Sequence, residues 1–312
     1  MTVSSALNTL PADAVFGLDD AAAYARWRDR KLAARARHPE DLIVEVRDPR
    51  ALTPAERDAL IAHCRRDNMA VYASRVADED KEVPRRLGAQ LGLATLDTNF
   101  LADEDGITSI AVSGVKAGAG FIPYTTHRIR WHTDGYYNPP GLRIRAMLLH
   151  CVRDAASGGD TALLDHELAY LLLRDDDPAH VRALMAPDAL AIPARVDDEG
   201  IARPEAVGPV FSVDPATGDL HMRYTARTRS VVWKDDAAAA AARLLEILDG
   251  DSGLVLGTRL QPGMGLVCNN VLHERSAFED APGRPRLLYR ARYVERIAGT
   301  ERAWRESETA GV

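Results

Sequence analysis

The alternation of apolar and polar positions divides the chain into a mixed first third and a strand-rich remainder. Segment 53–68 opens with Thr53, Pro54 and Glu56. A threonine N-cap, a proline at the first helical position and a glutamate three residues after the cap predict a capping box and a helix. The short apolar runs 41–48 and 69–74 predict a strand on each side of this helix.

From about residue 108, β-branched and apolar runs alternate with turn residues. Runs 143–152, 264–278 and 284–296 each predict one strand, and Asp214–Asp219 predicts the turn of a hairpin. Segments 165–176 and 235–250 predict helices. We therefore expect one domain over residues 1–312, mainly β with flanking helices. Residues 1–100 form a helix and strand part, and residues 108–296 form a double-sheet jelly roll.

Composition narrows the class of protein. The chain has 312 residues, 46% of them hydrophobic, and a net charge of -7, which disfavours nucleic acid as a partner and favours a small molecule. No run reaches the about eighteen apolar residues of a membrane span, and the N-terminus lacks the basic and apolar regions of a secretory signal. We expect a cytoplasmic protein with reduced cysteines; a homo-oligomer is compatible with the sequence.

The stretch RIRWHTDGYYNPP contains a candidate metal site. His132 and Asp134 are two residues apart, so that on an extended strand both side chains point to one face. With His273 they make two histidines and one carboxylate, a set that suits non-haem Fe(II) and leaves positions open for other ligands. His-x-Asp alone is a weak signal, because the chain has nine histidines and most histidines bind no metal.

The arginines that follow His273 strengthen the prediction. 2-Oxoglutarate has a second carboxylate, which a planar guanidinium binds through two hydrogen bonds. Arg286 comes 13 residues after His273 and is expected on the next strand, across from the histidine. Arg284, 11 residues after His273, is a rival for the same role.

Four stretches together resemble the taurine dioxygenase/chlorophenoxyacetate dioxygenase (TauD/TfdA) superfamily. They are residues 131–140, 157–165, 214–224 and 269–293. The resemblance implies a double-stranded β-helix of the clavaminate synthase-like type. It also implies a dioxygenase that uses Fe(II), 2-oxoglutarate and O2, releases succinate and CO2, and hydroxylates a small polar or anionic substrate.

The resemblance also assigns roles to single residues. It implies iron ligation by His132, Asp134 and His273, and 2-oxoglutarate binding by Thr161 and Arg286. An aspartate at the second ligand position argues against halogenation, since halogenating relatives leave that position empty for chloride.

On the substrate side, the resemblance places Arg290 where taurine-type members hold the sulfonate. The chain departs from the family at Cys268–Asn270, where many members have Asp-Asn-Arg, and this departure affects the substrate side rather than the metal.

Other substrate-side residues remain open. Tyr136 and Tyr137 follow the ligands at a strand end, where one of them is expected to face substrate. The run MRYTARTR contains three arginines that either favour an anionic substrate or are solvated charges, namely Arg223, Arg227 and Arg229. The glycine-rich segment 114–124 is either a lid or a simple connection.

Two alternative functions are compatible with the same residues. One is a hydroxylase of a trimethylated amine, as in carnitine pathways. The other is a cupin-like metal-binding or sensor protein without turnover. Release of succinate from 2-oxoglutarate distinguishes an enzyme from the second alternative.

Overall fold

The computed structural model describes residues 15–97, 105–112, 121–197, 200–227, 229 and 231–302. Its α-helices are α1 (Ala21–Ala34), α2 (Pro54–Asp67), α3 (Glu82–Gln90), α4 (His166–Asp176), α5 (Pro178–Leu184) and α6 (Asp235–Asp249). The predicted capping box is confirmed: the Thr53 hydroxyl accepts from the Glu56 N–H, and the Glu56 carboxylate accepts from the Thr53 N–H. Within these ranges, no helix combines the length and the apolar character that crossing a membrane requires. Most of segment 114–124 lies outside the described residues.

Two sheets organise the strands, which are numbered along the chain. The larger has the order β1 (Ile43–Glu45), β2 (Met69–Ala73), β16 (Met264–Cys268), β5 (Ala146–Arg153), β19 (Leu287–Tyr293) and β3 (Thr108–Ile110). The smaller has the order β15 (Leu256–Thr258), β7 (Thr161–Leu164), β17 (Leu272–Arg275) and β4 (Ile129–His132). All neighbours in both sheets are antiparallel except β1 and β2.

Shorter strands complete the described structure. β6 (Ser157–Gly158) pairs with β18 (Phe278–Glu279), and β8 (Leu190–Ile192) lies between β11 (Ala206–Gly208) and β14 (Val232–Trp233). β9 (Arg195–Asp197) pairs with β10 (Gly200–Arg203). The predicted hairpin around Asp214–Asp219 is confirmed as β12 (Phe211–Val213) and β13 (Leu220–Met222).

The two larger sheets enclose an apolar interior, and helices cover their outer faces. In this interior, Leu149 and Leu288 of the larger sheet pack in one cluster with Leu163 and Leu256 of the smaller sheet. Residues of α2 and α3 pack on the outer face of the larger sheet. Helices α1, α4, α5 and α6 form a further cluster with Trp131 and other outward residues of the smaller sheet. This is the predicted jelly roll with flanking helices.

The segment 264–278 corrects one prediction. The sequence predicts one strand here, but the segment divides at Asn269–Asn270 into β16, in the larger sheet, and β17, in the smaller. Asn270 has φ 51°, a left-handed conformation that asparagine adopts more readily than most residues. The apolar pattern does not reveal where the chain crosses between sheets, because residues on both sides of the two asparagines pack in the same interior.

Candidate metal centre

The two histidines are brought together by strand register. β17 lies beside β4, with His273 directly opposite His132, and the ring centroids are 4.2 Å apart. On its other side, His273 lies opposite Leu163, which packs in the interior between the sheets. Opposed residues of antiparallel strands point to one face, so both imidazoles face this interior.

Asp134 is positioned by a turn and not, as predicted, by the strand, because β4 ends at His132. Gly135 allows the turn: it has φ +66°, and a Cβ there would lie 2.3 Å from Cγ1 of Ile144. The Asn270 side chain then holds the backbone of Asp134, accepting from its N–H at 2.8 Å and donating to its carbonyl at 2.9 Å. As a result, ligand atoms of His132, Asp134 and His273 all lie within 4.8 Å of one another.

Backbone carbonyls select the tautomer of each imidazole. Nδ1 of His132 lies 2.9 Å from the Arg130 carbonyl, and Nδ1 of His273 lies 3.0 Å from the Val271 carbonyl. Because a carbonyl only accepts, each Nδ1 carries the proton and each Nε2 keeps its lone pair. Burial lowers the pKa of both histidines, that of His132 to about 3 with a further contribution from His273. Both rings are therefore neutral near pH 7, as metal ligation requires.

Asp134 is a buried carboxylate whose charge is maintained by arginines. Burial alone would raise its pKa, but Arg290 and Arg292 outweigh burial and hold the pKa well below its usual range. Nη1 of Arg290 donates to Oδ1 at 3.1 Å, whereas Oδ2 has no hydrogen-bond partner among the described residues. An ionised oxygen without a partner, beside two neutral imidazoles, fits a divalent cation with mixed nitrogen and oxygen ligands.

A cavity extends from the two histidines into the interior between the sheets. Its lining includes the following apolar and polar residues: Ile110, Pro123, Ile129, Met147, Leu149, Leu288, Thr161, Glu274, Arg275, Arg286 and Arg290. Apolar walls with a few polar groups are typical of small-molecule sites.

Arg286 is the most unusual residue of this cavity. It is 7% exposed, and its guanidinium lies 5.1 Å from the centre of the Phe278 ring without a hydrogen bond or ion pair to any described residue. Burial lowers its pKa, as expected for a cation without an acidic partner. Its rival Arg284 differs, since its side chain is 50% exposed and pairs with Asp154 at 3.3 Å.

The position of Arg286 also corrects a prediction. The sequence predicts it on the strand next to His273, but it precedes β19, which belongs to the facing sheet. The guanidinium therefore approaches the cavity from across the interior. Thr161, at the start of β7, is buried and lines the same cavity.

The two tyrosines lie on a different side of the centre. Tyr136 and Tyr137 follow Asp134, are half-buried, and pack edge to face with ring centroids 5.2 Å apart. Nη1 of Arg292 donates to the Tyr137 hydroxyl at 2.8 Å, and Nη2 pairs with Asp97 at 2.7 Å. Neither tyrosine is part of the cavity lining, so the structure groups them with the turn after the metal ligands.

Three supporting residues were not assigned these roles from the sequence. Asn270 holds the Asp134 backbone, Arg292 adds positive charge near Asp134, and Arg275 donates to the carbonyls of Thr125 and His127. The available signals were polar residues inside or between strands, at 270, 275 and 292. Such residues are buried only with partners, but a sequence does not identify those partners.

Comparison with known proteins gives the class to which this fold and site belong. Residues 30–292 match the family described as Taurine catabolism dioxygenase TauD, TfdA family. The chain belongs to this family, so the resemblance noted in the sequence is confirmed.

Two curated relatives are each named uridine-5'-phosphate dioxygenase. One, from Amycolatopsis sp, is 38% identical over 173 residues, which cover 53% of this chain and 60% of the relative. The other, from Streptomyces sp, is 32% identical over 196 residues, which cover 61% of this chain and 69% of the relative. The matched regions thus span less than two thirds of the first relative's length and slightly more than two thirds of the second's.

Solved structures support the fold. The non-heme iron oxygenase OrfP in complex with Fe and alpha-ketoglutaric acid has a TM-score of 0.58 and 17% identity, covering 91% of this chain and 92% of that one. Asparagine oxygenase in complex with Fe(II), 3-hydroxyasparagine and succinate has a TM-score of 0.57 and 20% identity, covering 78% and 81%. At these identities the similarity establishes the predicted fold, a double-stranded β-helix.

Proposed function

We propose that this protein is an Fe(II)- and 2-oxoglutarate-dependent dioxygenase that hydroxylates a small anionic substrate. One observation carries the proposal. Three metal-ligating side chains converge beside a cavity that also holds Arg286, a buried guanidinium without an acidic partner among the described residues. A dicarboxylate that reaches from a metal ion to Arg286 would satisfy both features.

In this proposal His132, Asp134 and His273 are the iron ligands, and Thr161 and Arg286 bind 2-oxoglutarate. When bound, iron and 2-oxoglutarate supply the activation of O2, with conversion of the keto acid to succinate and CO2. Arg290, Tyr136 and Tyr137 are the proposed substrate-binding residues.

The chain's own contribution is positioning and exclusion of water. The carbonyls of Arg130 and Val271 keep both Nε2 atoms available, and Asn270 fixes the turn that carries Asp134. Apolar walls, including Leu149 and Leu288, surround the co-substrate region with a dry environment in which charged contacts are stronger. These contacts act before the reaction, so little reorganisation is needed during it.

The substrate class is inferred from two sources. Two relatives of this chain are named uridine-5'-phosphate dioxygenases, which supports a phosphorylated nucleoside as substrate. Arginines contact the hydroxyl groups of Tyr136 and Tyr137 in the turn after Asp134. Their positive charge disfavours a cationic trimethylated amine, the substrate of the alternative hydroxylase. Uridine-5'-phosphate is therefore the first substrate to test.

The proposal treats the chain as one catalytic domain over residues 1–312. The pairing of β2 with β16 supports it, because this pairing joins the N-terminal third to the sheet that carries Arg290. Limited proteolysis should then release no stable fragment that retains metal binding without residues 43–73.

The test has a binding step and a turnover step. Anaerobic addition of Fe(II) and 2-oxoglutarate should produce a weak visible charge-transfer band, and O2 should then yield succinate. Uridine-5'-phosphate should increase succinate release, and mass spectrometry should detect an oxidised product. A folded, metal-loaded protein that gives neither the band nor succinate would instead support a metal-binding protein without turnover.

A further inference from the structure

The segment 224–226 pairs with the strand that carries the first metal ligand. Thr225 forms a bridge directly opposite His132, the Thr133 N–H donates to the Tyr224 carbonyl at 3.0 Å, and the Ala226 N–H donates to the Trp131 carbonyl at 2.8 Å. Opposed residues of an antiparallel pair point to the same face. Thr225 therefore faces the same side as the His132 imidazole.

Arg227 follows two residues later, about 7 Å along an extended segment. Ala226 lies between Thr225 and Arg227 and packs in the cluster that the helices form with the outward residues of the smaller sheet. Because successive side chains of an extended segment point to opposite faces, Arg227 points to the same face as Thr225. Nη1 of Arg227 donates to the Tyr136 hydroxyl at 3.4 Å. The guanidinium thus lies beside the turn that follows Asp134.

Five arginines contact this turn or its ligand, and they differ in how their charge is compensated. Arg290 pairs with Asp134 and Arg292 pairs with Asp97. Arg203, Arg223 and Arg227 have no acidic partner within the part of the chain that the structure describes. The turn is therefore surrounded by excess positive charge.

The three uncompensated arginines also differ from one another. Arg223 is buried and donates to four backbone carbonyls, including that of Tyr136. Arg203 is half-buried and donates to the backbone carbonyls of Tyr137, Pro193 and Pro204, so it stabilises the turn. Arg227 is exposed and donates to a neutral phenol. Most of its hydrogen-bonding capacity remains available to a ligand.

We propose that Arg227 binds the phosphate group of a phosphorylated substrate, with Arg203 contributing positive charge nearby. A planar guanidinium binds phosphate through two charge-assisted hydrogen bonds, which are stronger than its bond to a phenol. This role rests on the proposed dioxygenase function and deepens it. It adds a binding residue outside the cavity that contains Arg286.

The alternative is an arginine that is simply solvated. A solvated arginine contributes little to stability and does not distinguish a ligand that carries a phosphate group from one that lacks it. Comparing a phosphorylated ligand with its phosphate-free counterpart separates the two cases. Uridine-5'-phosphate and uridine are such a pair.

The experiment is anaerobic calorimetric titration of the full chain loaded with Fe(II) and 2-oxoglutarate. Uridine-5'-phosphate and uridine are titrated separately into the wild type, Arg227→Gln and Arg227→Lys. Arg182→Gln is the matched control, because Arg182 is an exposed arginine on α5 and its replacement removes the same charge. The charge-transfer band and thermal unfolding show that each variant is folded and retains its metal centre.

We expect the wild type to bind uridine-5'-phosphate more tightly than uridine. Arg227→Gln should weaken binding of the phosphate about tenfold, with uridine affinity unchanged, and Arg227→Lys should recover part of the loss. Arg182→Gln should behave as the wild type.

Three results would overturn the role of Arg227. They are a wild type that does not distinguish the two ligands, an Arg227→Gln variant that keeps the full preference, and equal losses for both ligands. A wild type without the charge-transfer band would instead contradict the proposed function itself, so the two failures are distinguishable.

Discussion

The two sides of the candidate metal centre are built from different kinds of structure. On the proposed co-substrate side, Thr161 begins a strand of one sheet and Arg286 precedes a strand of the other, and both are buried. On the proposed substrate side, Tyr136, Tyr137 and Arg227 lie on turns and connecting segments, and they are half-buried or exposed. Buried side chains on strands or next to their ends are held more precisely than exposed side chains on loops. We infer that the sheets fix the co-substrate, whereas loops determine the substrate.

The largest effect should come from the ligand set that both sides share. Asp134→Ala removes one of the three proposed ligands and should reduce succinate formation at least about 1000-fold, together with loss of tight iron binding. Metal content and anaerobic iron titration measure the second effect independently of activity. Asp58→Ala, at the exposed surface of α2 beside Arg57, is the matched control. Full iron binding by Asp134→Ala would remove this carboxylate from the ligand set.

On the co-substrate side, Arg286→Ala should raise the KM for 2-oxoglutarate about 100-fold, because a buried charge-assisted contact is lost. Arg284→Ala should leave this KM nearly unchanged, since Arg284 is half-exposed and paired with Asp154. Steady-state succinate assays over a range of 2-oxoglutarate concentrations compare the two variants. The opposite ranking of the two arginines would identify Arg284 as the anchor.

A smaller effect on the same side is expected for Thr161→Val. Loss of one hydroxyl that contacts a charged ligand should raise the KM for 2-oxoglutarate about tenfold, without a change in substrate affinity. Thr258→Val is a suitable control, because Thr258 lies opposite Thr161 on β15 but does not line the cavity. Equal behaviour of the two variants would mean that the Thr161 hydroxyl does not contact the co-substrate.

The smallest effect is expected on the substrate side. Tyr137→Phe removes the acceptor of the Arg292 hydrogen bond, a loss of about 1 kcal/mol, and should raise the substrate KM about fivefold. The KM for 2-oxoglutarate should not change. Tyr289→Phe is the control, because it removes a phenol hydroxyl from β19 rather than from the turn. A parallel rise in both KM values would show that the two sides of the centre are not independent.

How much the sequence predicts also differs between the two sides. The helix at 54–67, the hairpin around 214–219 and the jelly-roll class follow from caps, turns and alternation, which are local signals. The grouping of His132, Asp134 and His273 was predicted because the residues around them resemble one family, whereas the His-x-Asp spacing alone is a weak signal. The strand break at Asn270 and the position of Arg286 in the facing sheet were not, because both depend on how the sheets pack.

The arginines of segment 223–229 show the same limit, because they differ in burial and in hydrogen-bond partners. Arg223 is buried and donates to backbone carbonyls, including those of Tyr136 and Ala206, whereas Arg227 is exposed beside the Tyr136 hydroxyl. The sequence presents them as one basic cluster. Their separation depends on the path of the chain after β13, which hydrophobic periodicity does not encode.

The contact between Asn270 and Asp134 has a consequence for redesign. The Asn270 side chain hydrogen-bonds to the backbone N–H and carbonyl of Asp134 and not to its carboxylate. The turn should therefore keep its shape when the carboxylate is removed, and Arg290 and Arg292 would then face a small anion-sized gap. Formate or acetate, supplied in the buffer, should enter that gap and restore part of the lost activity to the Asp134→Ala variant.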